Sequence, residues 1–562
     1  MTDERASAKR GSERVYDALL DAGAELVVGL PGTQTLPLDR IVSEREEMRY
    51  VMARHETAIP HIAWGYYEAG GGVAATLTVP GPGDTNAMHG LKNAYEDSVP
   101  ILHVSADVNP AERGQKPIHE LAPDTFDNVV KENVSVERPF DLPAALERGI
   151  ESALSPPFGP VRFGVPSDVL TEEFDAPAAT VTPERTVYER DPQVTDAVDV
   201  LASAERPLVY AGGGARRSPE GPRVVRELAA ALDAPVATTY KGKGVFPEDD
   251  PRSLGVTGAH LPAGARRVFE RADAVLALGT DFDGVTTDHW EIPMGDALVH
   301  VTLSPGDINA SYDADVPIVA DVTEAGDEIL DGLADAARAP TWDGAAVADA
   351  VRTEYRETLR GKGLLDAGPP LNTPAVLDAV RESAPREAVV TTDIGGFRLW
   401  ALQAFAAYER KGFVTAGSWA GMGVGLPAAV GAALARPDDP VISLHGDGGL
   451  MMCLQELHTA VEHDLDITIV VSNNEDYGII SKSPDIAAHA DGHRFAWDSP
   501  DFATIASGFG CRATAVDTRS GLEAALDDAI GRDGPDLIDV TVATEEPSAP
   551  AAASYDSTVE LD

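Results

Sequence analysis

Three stretches of the chain bring together residue types that can do chemistry. In the first, an apolar run at 440–444 leads into His445-Gly446-Asp447-Gly448-Gly449, and a second apolar run at 467–471 ends in Ser472-Asn473-Asn474. Glycines let a backbone approach a phosphate closely, and a helix after them, expected at 450–462, offers free N–H groups to an anion. Asp447 falls at the carboxyl end of one strand and Asn474 at the end of the next, where parallel α/β sheets place ligands. A carboxylate, an amide oxygen and a backbone carbonyl form a hard-oxygen site suited to Mg²⁺ bridging two phosphates. Gly-Asp-Gly alone is more often just a turn; the strand–helix–strand spacing to the double Asn gives it weight.

The second stretch, Arg54-His55-Glu56, follows a short strand at 50–52 and opens a helix at 57–67. Taken alone, Glu56 is an ordinary helix-start acid favoured by the helix dipole. Its neighbours in sequence are Gly29-Leu30-Pro31-Gly32 upstream and Pro80-Gly81-Pro82-Gly83-Asp84-Thr85-Asn86 downstream. The third stretch is Gly417-Ser418-Trp419-Ala420-Gly421-Met422-Gly423-Val424-Gly425-Leu426-Pro427, in which Met422 is either core packing or a wedge beside a ligand.

These stretches need a scaffold, and the chain supplies short β-branched runs alternating with Ala/Leu/Glu-rich helical segments, the pattern of parallel α/β architecture. Three blocks result, at 12–170, 194–335 and 373–543, each read as a doubly wound parallel-sheet domain. Strands are expected at 26–29, 73–78 and 101–105 in the first. The second has them at 207–211, 236–239, 274–278 and 298–302, and the third adds 388–391 and 537–541. A Pro/Glu/Thr-rich linker is expected at 171–193, a looser segment with a helical core at 336–372, and an acidic, disordered tail at 544–562.

With 562 residues the chain is too long for one core. Its formal net charge of −48 argues against nucleic acid and against anionic membranes. The acid is spread along the chain, as on the solvated surface of a protein that stays soluble in high salt. Only Cys453 and Cys511 are present, which fits a reducing cytoplasm. No apolar run reaches the roughly 18 residues a membrane helix needs, and the charged first residues are not a secretory signal.

From Val15 to Val542 the chain resembles the thiamine-diphosphate-dependent enzymes of the acetolactate synthase-like group. The resemblance implies that pyrimidine-binding and diphosphate-binding domains flank a central Rossmann-like domain. It implies thiamine diphosphate and Mg²⁺ as cofactors, the metal held by Asp447, Asn474 and the main-chain oxygen of Asp476. It places Gly32, Gly81, Gly83, Asn86, Gly421, Met422, Gly446, Gly448, Gly449, Tyr477 and Gly478 around the cofactor, with Met422 as the wedge that bends it. Glu56 becomes the group that hydrogen-bonds the aminopyrimidine and activates the cofactor as general acid/base. The substrate is a 2-oxo acid, and the protein a homodimer or homotetramer with shared active sites.

Departures from the group bear on the substrate. Ala106-Asp107 stands where acetolactate synthases carry Gly-Gln, Ile118-His119-Glu120 where they carry Phe-Gln-Glu, and Gly396-Phe397 where they carry Gln-His. His119 is therefore a candidate substrate-binding or proton-transfer group, a structural His being the plain alternative. The expected reaction is decarboxylation followed by carboligation; a simple 2-oxo acid decarboxylase or another lyase is the alternative. A non-catalytic homologue is disfavoured by the joint presence of Glu56, Met422, Asp447 and Asn474. A Rossmann dehydrogenase is disfavoured by the lack of a clean Gly-x-Gly-x-x-Gly with an acid about twenty residues on.

Whether FAD binds is open on the resemblance alone. The flavin-associated Arg-Phe-Asp-Asp-Arg stretch is reduced here to Asp281-Phe282-Asp283-Gly284, and Gly258-Ala259-His260-Leu261 replaces Met-His-Gly. These losses predict purified protein without stoichiometric flavin. A visible absorption spectrum checks this, and one flavin per chain would contradict it.

Overall fold

A computed structural model describes residues 8–179, 193–336, 340–489 and 495–561. It contains three six-stranded sheets, parallel throughout. The first is built from β1 (Leu26–Gly29), β2 (Arg49–Met52), β3 (Ala74–Thr78), β4 (Ile101–Asp107), β5 (Glu132–Ser135) and β6 (Val161–Pro166), in spatial order β2-β1-β3-β4-β6-β5. The central sheet has β7 (Pro207–Ala211), β8 (Val236–Thr238), β9 (Ser253–Val256), β10 (Ala274–Leu278), β11 (Ala297–Thr302) and β12 (Val316–Val319), in order β9-β8-β7-β10-β11-β12. The third has β13 (Val389–Thr392), β14 (Phe413–Val414), β15 (Val441–Gly446), β16 (Ile467–Asn473), β17 (Arg512–Val516) and β18 (Asp536–Thr541), in order β14-β13-β15-β16-β18-β17.

The first and third sheets thus share one strand order, while the central sheet has the dinucleotide-fold order. Strands β1, β3, β4 and β6 are buried along their length, as the near-continuous apolar runs of a covered parallel sheet require. In the first sheet the order reverses between β1 and β3, whose carboxyl ends carry Gly32 and Gly81. In the third it reverses between β13 and β15, whose ends carry Gly395 and Asp447. The segments carrying Gly32, Gly81 and Asp447 therefore stand at the two topological switch points, where open α/β sheets bind ligands, while Glu56 and Met422 follow the neighbouring strands β2 and β14.

One helix pair fixes these two sheets relative to each other. Helix α1 (Ala58–Ala69) is buried on nearly every face and packs along α4 (Gly425–Ala435), which is all Gly, Ala, Leu, Val and Pro. Two further helices used below are α2 (Pro82–Glu96) and α3 (Gly213–Arg217). Small residues let the backbones of α1 and α4 touch: a Cβ on Gly65 would lie 2.5 Å from Ala428 Cα, and one on Gly431 2.5 Å from the Tyr66 nitrogen.

The central domain is joined to both neighbours by buried charge. Glu68, at the end of α1, accepts from Arg216, from Arg217 (3.0 Å) and from Lys241 (3.1 Å). Lys241 also reaches Asp97 (2.9 Å), which accepts from the Trp64 indole (2.9 Å) and Gly417 N–H (3.3 Å). Burial pushes the Glu68 carboxyl up, but the three cations outweigh it and hold the group well below the carboxylate range.

Two sequence expectations change. The helix after the glycines begins at Asp447, not at 450, so α5 (Asp447–Cys453) carries Asp447, Gly448 and Gly449 in its first turn, and a 3₁₀ turn, Leu454–Glu456, separates it from the next helix. The tail expected to be disordered at 544–562 is ordered through residue 561. Helix α6 (Ala549–Ala553) buries Ala549, Ala552 and Ala553, an i, i+3, i+4 face, and is capped by Ser548. Beyond it, Val559 and Leu561 enter the central domain's core. A tail rich in alanine reads as featureless by composition, yet that spacing is a helix face. The linker expected at 171–193 lies, from 180 to 192, outside the described residues.

Gly65→Ala tests the helix contact. Alanine is favoured in a helix interior over glycine by about 1 kcal/mol, but the added methyl here meets backbone that cannot give way. The expected result is a net destabilisation of about 1–3 kcal/mol, the range for overpacking, read as a lower midpoint in urea.

Candidate functional site

The third domain holds a cleft of about 180 Å³ at the carboxyl ends of β13, β15 and β16. Met422, Gly446, Asp447, Gly448, Gly449, Asn474, Asp476, Tyr477 and Gly478 all line it, so the structure gathers the residues expected around a diphosphate. Asp447 is buried; its Oδ1 accepts from Gly448 N–H (2.9 Å) and its Oδ2 from the Trp497 indole and Ser499 hydroxyl (both 3.2 Å). Burial pushes its carboxyl above the usual range, against those donors. Asn474 Oδ1 accepts from Asp476 N–H (3.2 Å), the Asp476 carboxylate accepts from Ser481 (2.6 Å), and its main-chain oxygen accepts from Gly478 N–H (2.7 Å). The donor set is all hard oxygen, as Mg²⁺ requires. Gly448 admits no side chain, since a Cβ there would lie 2.8 Å from the Tyr477 ring.

Beneath this cleft lies Asp393, which the sequence reading did not single out. Its carboxylate accepts the N–H groups of Ile394 (2.6 Å), Gly423 (2.9 Å) and Gly425 (3.3 Å) and lies 3.3 Å from His445 Nδ1. Burial pushes the Asp393 carboxyl up, but His445 and those N–H groups hold it below its ordinary value. Asp393, His445 and Cys453 stand close enough to share a metal. However, burial raises the Cys453 thiol strongly and the Asp393 oxygens already serve the backbone, so the trio reads as the floor of the Met422 loop. An acid directly after a strand and before Gly-Gly was its only sequence signal.

The first domain gathers the other set. Glu56 is half-buried and accepts from Asn86 Nδ2 (3.1 Å). Gly32 and Gly83 leave room for Val79, and Gly81 (φ 65°) leaves room for the backbone of His119, whose oxygen would sit 2.8 Å from an added Cβ. His119 itself is left-handed (φ 65°), and its Nδ1 meets Gln34 Nε2 at 3.2 Å. A non-glycine residue held in that region marks strain worth a functional hypothesis.

The two sets do not meet within one chain. Among the described residues, everything lining the Asp447 cleft comes from residue 373 onward, and Glu56 is not part of it. The loop presenting Glu56 is nevertheless fixed by the third domain. Glu456, in the 3₁₀ turn after α5, accepts from the backbone N–H of Arg54 (3.0 Å) and His55 (3.1 Å), while Arg54 also pairs with Glu462 (2.7 Å). Burial pushes the Glu456 carboxyl up, offset by Thr459 and those N–H donors. Nothing local in sequence announces it.

Comparison with known families places three domain models in order along the chain: the thiamine pyrophosphate enzyme N-terminal TPP binding domain at residues 9–128, the central domain at 194–329 and the C-terminal TPP binding domain at 393–540. Among curated proteins, the acetolactate synthase isozyme 1 large subunit of Escherichia coli is 31% identical over 95% of this chain and 94% of its own. The isozyme 2 large subunit of the same organism is 30% identical over 98% and 99%. A probable acetolactate synthase large subunit of Methanocaldococcus jannaschii is 28% identical over 95% and 92%.

Glu456→Ala would leave two partly buried backbone donors, and the Thr459 hydroxyl, without their acceptor. The expected loss is about 2–3 kcal/mol of stability, measured by chemical denaturation, with Glu456→Gln recovering part because one acceptor oxygen remains.

Proposed function

This chain belongs to the thiamine pyrophosphate enzymes of the acetolactate synthase-like kind, and from that premise we propose that it decarboxylates a 2-oxo acid and joins the remaining fragment to an acceptor. The observation that carries the reading is the single cleft where Met422, Asp447, Asn474 and Asp476 converge. Thiamine diphosphate, when bound, supplies the nucleophilic carbon and the electron sink that both reactions need. The Asp447 carboxylate, the Asn474 amide oxygen and the Asp476 main-chain oxygen would hold Mg²⁺. Met422 would support the cofactor. Glu56, steadied by Asn86, would serve as its general acid/base. His119, oriented by Gln34, binds the substrate or carries its proton.

The central domain supports a flavin-free reading. At its switch point Gly212 and Gly214 pack directly on Gly279, and the carboxylates of Asp281, Asp283 and Asp307 lie near one another. A diphosphate there would face these acids. Tyr240 donates to Asp283 (2.7 Å), committing that group further.

Because Glu56 and the Asp447 cleft stand apart in one chain, the working unit is a two-fold dimer, or a tetramer of such dimers, in which each site takes Glu56 from one chain and Asp447 from the other. Exposed Trp419, Met451, Met452, Ile479 and Ile480 on the third domain, and Leu36 and Ile118 on the first, give such a contact apolar surface. The acidic exterior opposes association, so the assembly tightens as salt screens it. Among the described residues no helix is long and apolar enough to cross a membrane. Cys453 and Cys511 are both free and buried, consistent with work in the cytoplasm.

A panel of 2-oxo acids with thiamine diphosphate and Mg²⁺, scored for CO₂ release and for carbon–carbon bond formation, tests the reaction; CO₂ without ligated product would leave a simple decarboxylase. The site model has its own test. Glu56→Gln should lower the rate about 10²–10⁴-fold, and Asp447→Ala should remove Mg²⁺-dependent cofactor binding. Mixing the two inactive proteins under exchange should restore activity, since one site of a mixed dimer carries neither lesion. Demonstrated exchange without recovery would refute sharing.

A further inference from the structure

Met422 stands in the loop 417–424, and this loop is gripped from two sides. From within its own domain, Asp393 accepts Gly423 and Gly425 N–H. From the first domain comes His89, on α2. The Trp419 indole N–H donates to His89 Nδ1 at 2.9 Å. An indole nitrogen can only donate, so Nδ1 is an acceptor and the neutral ring carries its proton on Nε2. That leaves Nε2–H on the side of the ring that packs beside Gly421, the residue before Met422. The ring also fills the space beside Gly421, where a Cβ would overlap its Cε1, and Ala420 just before it is left-handed (φ 47°). Behind His89 is His61, edge-on at 4.9 Å, its pKa pushed down to about 3 by burial and by His89, so no charge competes for the ring from that side.

We propose that His89 is a positioning residue for the cofactor: locked in one tautomer by Trp419, it sets the depth at which Met422 supports the bent cofactor. The inference rests on the reading of Met422 as the wedge. It adds that the wedge is placed by a helix of the other domain, and that the same helix, through Asn86, steadies Glu56. In a dimer with shared sites those two contacts serve different cofactors. Neither His89 nor Trp419 touches the cleft that would hold the diphosphate, so their effect is on geometry rather than on binding.

The test compares the full-length parent with His89→Ala, His89→Gln, Trp419→Phe, Met422→Ala and the His89/Met422 double variant. Three quantities are read: thiamine diphosphate affinity with Mg²⁺ by calorimetry, the rate of deuterium exchange at the bound thiazolium C2 by quenched-flow NMR, and the thermal midpoint of the cofactor-free protein. His89→Ala and Trp419→Phe should slow exchange about 10–100-fold, the size of a misplacement of about 1 Å, with a smaller change in affinity. His89→Gln, which keeps an acceptor for the Trp419 indole and a donor beside Gly421, should recover part of the rate. The double variant should be no slower than Met422→Ala, because His89 acts through Met422. Unchanged exchange in His89→Ala would overturn the proposal. So would exchange, affinity and thermal midpoint falling together without rescue by Gln, which would make His89 merely structural. A parent that binds no thiamine diphosphate, or a Met422→Ala variant with parental exchange, would instead overturn the site reading on which it rests.

Discussion

The contact between α1 and α4 is the constraint on which the rest depends. It is a meeting of backbones, made possible by Gly65, Ala428 and Gly431, and it has no side-chain slack to absorb error. Glu56 lies just before α1 and Met422 just before α4, so the two groups proposed to act on the cofactor are each mounted on the entrance of a helix whose position is fixed by the other. Close-packed interiors respond to strain by shifting as units rather than by deforming. A displacement of either helix would therefore move both groups together.

Around this apolar seam the chain spends its buried charge at junctions. Glu68, Asp97 and Lys241 sit where the first and central domains approach the third, and Glu456 sits where the third domain meets the Glu56 loop. Buried ion pairs add little net stability, because desolvation offsets attraction, but removing one partner is costly. Their value here is in register: each carboxylate accepts from donors of another domain, and only one docking satisfies them. The contrast with the exterior is sharp in chemical terms. The net charge of −48 is carried on the surface and screened by salt, while Glu68, Asp97 and Glu456 are each matched by donors.

What the sequence revealed was whatever is written locally. The Gly446-Asp447-Gly448-Gly449 turn, the Asn473-Asn474 strand end and the strands β1, β7 and β10 stand where their residue patterns put them, because glycine turns and apolar runs act within a few residues. The missed features depend on distance. Arg54 and Glu456 are separated by 402 positions and His89 and Trp419 by 330, and no periodicity links such pairs. The tail was misread for another reason: its alanines gain burial only against surfaces supplied by the third and central domains. Asp393 was within reach, as an acid at a strand's carboxyl end beside Gly395-Gly396, but its task of holding the Met422 loop is visible only once Gly423 and Gly425 are folded over it.

The central domain's anchorage has an evolutionary corollary. Its glycine turn is followed by α3, whose Arg216 and Arg217 are both committed to Glu68 in another domain. A module held by such clamps keeps its place whether or not its own crevice is occupied. Selection for a bound ligand and selection for a folded chain then act on different residues. Acidic substitutions in the crevice would then leave the architecture intact.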